Sequence, residues 1–289
     1  MYPGSFEYHR AGSVKEALGL LKQFGDDAKL ISGGHSLIPM MKLRLAQPAH
    51  LIDITKIGEL GQISDQGGKI VIGAAATHNQ IGASDLVRNK LGLFAECALA
   101  IGDVQVRNRG TVGGSLSHSD PAADYPAGVL ALEGEIKCEG ESGARTVKAQ
   151  DFFIDLMTTA LQPGEILTQV SFAPIPAGAG YSYLKQRQPA SGFAMVGVAA
   201  LVTLARGGKF DRVRVAITGL TAKAFRATAV EAALNGKAAD AATIAAAALH
   251  ATDGADPLAD IHAGAEFRAE LARVYTRRAI AAAAANAKE

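Results

Sequence analysis

Residues 109–126 read RGTVGGSLSHSDPAADYP, and this stretch has neither a helical nor an alternating apolar period. It combines a Gly-Gly pair, two carboxylates and two prolines with several hydroxyls, which is typical of a loop. The earlier segment 31–36, ISGGHS, has the same chemistry. Glycine admits φ > 0 and lets backbone N–H groups approach a ligand closely. Two such segments, each after an apolar run, predict the halves of one anion-binding cradle, with a phosphate-bearing cofactor as the first candidate.

The composition excludes several classes of protein. The chain has 289 residues, of which 48% are hydrophobic and 20% charged, so we expect folded subdomains with real cores. With 29 basic and 28 acidic residues the net charge is +1, which gives no signal for a nucleic-acid partner. No window approaches the ~20 apolar residues of a membrane span, and the start, MYPGSFEYHR, lacks the features of a secretory signal. We therefore expect a cytoplasmic protein.

The sequence predicts no metal centre. Its two cysteines, Cys97 and Cys138, lie far apart, which excludes a four-thiolate iron–sulfur cluster or zinc site within this chain. His35 and His118 lie in the two glycine segments but offer too few ligands for a metal. We expect His35 to hydrogen-bond within its loop and His118 to be exposed.

Local patterns predict a mixed α+β chain. Ser13 and Glu16 have the form of a helix capping box. Residues 1–55 form a predicted small α/β unit, with strands at 28–31 and 50–54 and a short helix at 37–45 between them.

A second predicted unit, 56–176, ends at Pro174 and Pro176, and a third covers 177–289. The elements predicted in the second unit are a hairpin within 62–73, helices at 77–85, 91–100 and around 127–132, and strands at 135–139, 145–148 and 166–172. Those predicted in the third unit are antiparallel strands at 181–185, 195–204 and 212–218 and helices at 226–234, 239–250 and 265–285.

The glycine segments differ from the common nucleotide motifs. Neither has the lysine of a P-loop, neither has the spacing of a Rossmann fingerprint, and the chain has no nucleophile elbow. Each segment alone could be a tight turn, whereas the pair favours a binding role. The predicted donors are the N–H groups of Gly33, Gly34, Gly113 and Gly114 and the hydroxyls of Ser32, Ser36, Thr111 and Ser115.

Three motifs together, SGGHSLIPMMK at 32–42, TVGGS at 111–115 and DPAAD at 120–124, closely resemble the medium, flavin-binding subunits of molybdenum hydroxylases. The resemblance is nearest to aerobic carbon monoxide dehydrogenase medium subunits, more distant to xanthine dehydrogenase flavin domains, and covers essentially the whole chain. It implies a two-part FAD-binding region of the vanillyl-alcohol-oxidase/PCMH type, followed by a C-terminal α+β domain.

The resemblance also implies which residues hold FAD. Ile101 would lie against the flavin, and Ser115 stands where the family often has Asn. The residues implied to bind the cofactor are Ser32, Gly33, Gly34, His35, Ser36, Ile101, Thr111, Val112, Gly113, Gly114, Ser115, Asp124, Leu167, Lys185 and Phe193. Reasoning from residue types alone leaves alternatives, because Lys185 could be a solvated strand lysine, Phe193 a core residue and Asp124 a helix cap.

The implied function is electron transfer within a larger enzyme. The chain would be the FAD subunit of a heterotrimer, or dimer of heterotrimers, with a [2Fe–2S] small subunit and a molybdopterin large subunit. It would pass electrons to an external acceptor such as NAD⁺, a quinone or dioxygen. Two alternatives remain: a self-sufficient FAD oxidase or dehydrogenase, and a non-redox assembly protein that has lost FAD.

Overall fold

A computed structural model describes residues 1–288 of the chain. The first unit holds a three-stranded parallel sheet in the order β1-β3-β2. Its elements are β1 (Glu7–Arg10), α1 (Val14–Phe24), β2 (Ala28–Ile31), α2 (Leu37–Lys42) and β3 (His50–Asp53). The α1 helix begins where predicted, because the Ser13 side chain accepts the backbone N–H of Glu16. β1 was not predicted, since its four residues are mostly exposed and show no apolar pattern.

The second unit is built on a five-stranded antiparallel sheet in the order β4-β5-β10-β6-β7. The strands are β4 (Ile63–Gln66), β5 (Lys69–Gly73), β6 (Glu135–Gly140), β7 (Gly143–Lys148), the short pair β8 (Phe153–Asp155) and β9 (Thr158–Thr159), and β10 (Ile166–Phe172). The helices are α3 (His78–Ala83), α4 (Asp85–Lys90), α5 (Gly92–Ala100), α6 (Val104–Arg109), α7 (Val112–His118), α8 (Tyr125–Ala131) and α9 (Ala149–Phe152).

The third unit pairs an antiparallel sheet, in the order β11-β12-β13-β14, with helices. The strands are β11 (Gly180–Arg187), β12 (Ala194–Ala205), β13 (Lys209–Thr218) and β14 (Phe225–Arg226), and the helices are α10 (Thr228–Leu234), α11 (Ala241–Ala248) and α12 (Ala265–Asn286). The alanine-rich tracts form helices as predicted, since alanine is the best helix former. The α+β class is confirmed.

The prediction of one continuous loop over 109–126 was wrong. Residues 112–118 form α7, and the Gly-Gly pair lies in its first turn. Thr111 caps this helix, with its hydroxyl accepting the N–H of Gly114. Glycine lowers helix propensity, but Gly113 packs so closely on Ala74 that an added Cβ would come within 2.5 Å of the Ala74 Cβ. Packing therefore decides the residue type here.

The predicted unit boundaries stay a prediction. The hydrophobic core around α1 and β3 also contains Leu60, Ala75 and Ile166 from beyond residue 55. Likewise, Tyr183 and Ala199 of the third unit belong to the core of the second. Among residues 1–288, no helix is both long and apolar enough to cross a membrane.

Candidate cofactor site

The two glycine segments meet at one wall of a cavity of about 550 Å³. The segment that follows β2 crosses the start of α7, and the Thr111 hydroxyl lies 3.2 Å from that of Ser32. A Cβ on Gly33 would collide with the carbonyl oxygen of Arg109 and lie 2.7 Å from the Cα of Gly110. The predicted meeting of the two segments is therefore present in the fold.

The first segment supplies the unpaired donors. Within residues 1–288, the backbone N–H groups of Gly33, Gly34, His35 and Ser36 donate to no protein acceptor. Gly34 has φ 73°, a left-handed conformation that turns successive amides toward one concave surface. His35 forms the predicted loop hydrogen bond, 2.9 Å from Nδ1 to the carbonyl oxygen of Gly33. Such a nest of backbone amides suits a pyrophosphate.

The second segment has a different role from the predicted one. The Gly113 N–H donates to the carbonyl oxygen of Ala74 at 2.8 Å, and the Gly114 N–H donates to Thr111 Oγ1 at 3.2 Å. These amides are already engaged within the protein, so the expectation that both glycines donate to an anion was wrong. Here the glycines allow close packing, while Ser115 and Ser117 carry hydroxyls at the cavity wall.

Apolar side chains also line the cavity. Ile101, Leu167 and Phe193 line it, and Phe193 is 44% exposed. A cavity wall that combines unpaired amides with apolar side chains and an aromatic ring matches the chemistry of FAD, which has a charged pyrophosphate and a flat flavin ring. The side chains and amides of this cavity therefore fit that cofactor.

A buried charge network lies beside the cavity. Lys185 Nζ lies 2.8 and 2.9 Å from the two carboxylate oxygens of Asp124, and both side chains are almost fully buried. The Tyr183 hydroxyl donates to the same carboxylate at 2.6 Å. Burial raises the pKa of Asp124, an effect that the Lys185 ammonium and the Tyr183 hydrogen bond oppose. Asp124 makes no side-chain cap on α8, so the alternative of a helix cap was wrong.

The Lys185 side chain does not line the cavity itself but lies behind residues that do. Its ammonium also donates to the carbonyl oxygen of Gly192 at 2.7 Å, and Gly192 lines the cavity next to Phe193. The alternative of a solvated strand lysine was wrong, because the Lys185 side chain is only 3% exposed. Lys185 thus ties Asp124 to the loop that carries Phe193.

Most of the predicted cofactor residues lie together. Val112 does not, since its side chain is fully buried in the hydrophobic core. The predicted residues that line the cavity are Ser32, Gly33, Gly34, His35, Ser36, Ile101, Thr111, Gly113, Gly114, Ser115, Asp124, Leu167 and Phe193. Their roles as FAD contacts stay a prediction. Asp120 accepts the N–H of Ala122 at 2.8 Å, a contact typical of an aspartate that begins a turn.

Sequence reasoning missed several lining residues. His78 stands directly after the cap residue Thr77, and a histidine in a first helical turn has no distinctive pattern. Its Nδ1 lies 3.2 Å from the Tyr125 hydroxyl in the buried core. His118, expected to be exposed, is half-buried and lines the cavity.

His78 should give the protein a measurable pH dependence. Burial, with smaller contributions from the nearby charges of His35 and Arg107, lowers the pKa of His78 to about 3. An unfolded chain binds this proton below pH about 6.5, so the stability from neutral His78 is present above that pH and is lost as pH falls toward 3. Between pH 8 and pH 5 we expect the wild type to lose about 2 kcal/mol more unfolding free energy than His78→Gln.

Urea unfolding at the two pH values measures this difference. The control is His262→Gln, which removes an exposed histidine and should keep the wild-type pH dependence. Equal pH dependences for the wild type and His78→Gln would contradict the assignment.

Comparison with known proteins agrees with this geometry. The family model described as "FAD binding domain in molybdopterin dehydrogenase" matches residues 4–176, and "CO dehydrogenase flavoprotein C-terminal domain" matches 180–283. The carbon monoxide dehydrogenase medium chain of Hydrogenophaga pseudoflava is 40% identical over 283 residues, which cover 98% of each chain. The alpha subunit of the 6-hydroxypseudooxynicotine dehydrogenase complex of Paenarthrobacter nicotinovorans is 35% identical, over 98% of this chain and 96% of that one. A structure of carbon monoxide dehydrogenase from Hydrogenophaga pseudoflava superposes with TM-score 0.97 at 42% identity, covering 100% of both chains.

Proposed function

The chain belongs to the FAD-binding medium subunits of molybdenum-dependent dehydrogenases, and from this we propose that it relays electrons between a partner [2Fe–2S] subunit and an external acceptor. It is an oxidoreductase subunit whose cofactor is FAD. FAD supplies the ability to take up and release electrons when bound. The residues of this chain bind that cofactor, orient it and shield part of it from water.

One observation carries the proposal: the buried ionisable side chains at the cavity, Asp124 and His78, are already engaged by other residues. A self-sufficient oxidase needs a free acid or base near the flavin to move a substrate proton. Asp124 is held by Lys185 and Tyr183, while His78 is buried against Tyr125. Electron transfer requires no such group. The engagement of both groups therefore supports a relay over a separate organic oxidase, which would need another group such as the half-buried His118 of the cavity wall.

The exposed aromatic at the cavity mouth supports an exchange partner there. Phe193 both lines the cavity and is 44% exposed, so the cavity is open to solvent beside this ring. We propose that the partner subunit's cluster and the acceptor approach the cavity at Phe193. The chain would then be part of a heterotrimer, or dimer of heterotrimers, with a small iron–sulfur and a large molybdopterin subunit, and the acceptor would be NAD⁺, a quinone or dioxygen.

The names of relatives support placing substrate choice in another subunit. Chains 32–40% identical to this one are named for carbon monoxide, 6-hydroxypseudooxynicotine, glyceraldehyde, nicotine and caffeine dehydrogenation or hydroxylation. Such varied names for chains that match this one over 96–98% of its length support a common step for this chain. We propose electron transfer as that step.

Purification from the native host tests the proposal. The chain, tagged on its own chromosomal copy, should co-purify with one small and one large chain, and the complex should contain FAD, [2Fe–2S] clusters and molybdopterin. Iron removal should block flavin reduction by the enzyme's substrate, because electrons would no longer reach this chain. A lone yellow protein that small organic donors reduce would instead identify a self-sufficient oxidase. A colourless assembly would identify a non-redox protein.

A further inference from the structure

A cluster of two histidines and a glutamate lies at the edge of the first parallel sheet, outside the cofactor cavity. Glu7 pairs with His50 in the register of β1 and β3, and His9 follows Glu7 on the same face. His9 Nε2 lies 3.1 Å from His50 Nδ1. A carboxylate oxygen of Glu7 lies 3.5 Å from the His50 nitrogen and 3.9 Å from the His9 nitrogen.

We propose that Glu7, His9 and His50 form a binding site for a divalent transition metal, with Zn²⁺ as the best match. Zinc bonds to imidazole nitrogen and carboxylate oxygen at about 2.0–2.1 Å, so two ligands of a tetrahedron lie about 3.3–3.4 Å apart. The three observed separations bracket this value. Two histidines and one carboxylate are a ligand set that zinc uses with an open fourth position for water.

The rings are held in place before any metal arrives. The Phe24 ring stacks on His50 with centroids 3.8 Å apart and on His9 at 4.7 Å. The two histidine side chains are only 23% and 19% exposed, while that of Glu7 is 73% exposed and can close over an ion. Preorganised imidazoles with one mobile carboxylate lower the cost of ordering the site.

The cluster is separate from the FAD site. Glu7 and His50 begin their strands, whereas the amide-rich segment follows the end of the parallel strand β2. Strands of this sheet have four residues, which at about 3.3 Å per residue separates the two ends by about 10 Å. A metal here would link β1 to β3 and stabilise the N-terminal strand of the chain. This site was not predicted from the sequence, because His9 and His50 are 41 residues apart and β1 has no apolar pattern.

Zinc titration of the native complex tests the site. The tagged complex is passed over a chelating resin and equilibrated with ZnCl₂, and retained zinc is measured by mass spectrometry. We compare the wild type with His9→Gln, His50→Gln and Glu7→Gln, and use His262→Gln, an exposed histidine elsewhere, as the matched control. The wild type and the control should hold one more zinc per copy of this chain than the histidine variants.

The size of the effect separates this site from incidental surface binding. Each histidine variant should lower zinc affinity by at least about 10–100-fold, the loss that follows even from changing residues that only orient ligands. Glu7→Gln changes an exposed side chain, so it should fold normally and still weaken binding. Zinc affinity unchanged in Glu7→Gln, or zinc content equal in all variants, would overturn the proposal. FAD content should be the same throughout.

Discussion

Replacing Gly33 with alanine should push the two glycine segments apart and remove FAD from the protein. The added methyl group would meet the backbone carbonyl of Arg109 and the Cα of Gly110, neither of which is a flexible side chain. Overpacking of this kind costs about 2–3 kcal/mol in unfolding free energy. It also displaces the unpaired amides that face the cavity, so we expect FAD content of the purified complex to fall at least about tenfold.

Gly58→Ala is the matched control for this prediction. Gly58 is exposed, has no positive φ and has open space where a Cβ would lie. Its replacement should leave FAD content unchanged and the free energy of unfolding within about 0.5 kcal/mol of the wild-type value. The measurements are flavin absorbance per chain and urea unfolding. Full FAD content in Gly33→Ala would show that the close approach is not needed for binding.

Lys185→Met should destabilise the chain by about 3–5 kcal/mol, because it leaves the Asp124 carboxylate buried without its cation. Asp124 is 3% exposed, and the lost ammonium also holds the carbonyl oxygen of Gly192. We therefore expect lower stability and a weaker hold on FAD, since the loop that carries Phe193 loses an anchor.

Two further variants separate charge burial from ordinary truncation. Lys137→Met removes a strand lysine whose ammonium lies 2.7 Å from Glu139, but that side chain is 36% exposed, so the loss should stay below about 1 kcal/mol. Adding Asp124→Asn to Lys185→Met removes the unpaired charge and should recover much of the stability. Urea unfolding measures all four proteins. The network has no special energetic role if Lys185→Met and Lys137→Met cost the same.

Local patterns predicted much of the fold. The capping box at Ser13, the hairpin that became β4 and β5, and the alanine-rich helices depend on residues close in sequence, so their spacing was enough. The predicted loop over α7 failed because glycine suggests a turn when only neighbours are considered. Close packing on Ala74, more than 35 residues away, decides that position.

The candidate site was likewise predictable from the sequence only in part. Paired glycine segments and a family resemblance indicated FAD, and the structure brings those segments into contact through Ser32 and Thr111. The sequence did not indicate that the N–H groups of Gly113 and Gly114 donate to acceptors within the protein. Nor did it indicate that Lys185 forms a buried ion pair with Asp124. Hydrogen-bond partners are chosen among groups that folding brings near, and single residue types do not reveal them.

The sequence by itself determined the chemistry of this protein: a cradle of glycines and hydroxyls, too few cysteines for its own iron–sulfur cluster, and a balanced charge. Only the tertiary structure decided which groups line the cavity and which are engaged in packing and hydrogen bonds within the protein. It also joined His9 to His50 across two parallel strands. The physical reason is range: spacing along the chain sets local conformation, whereas pairing of strands and burial of charges depend on contacts between distant residues.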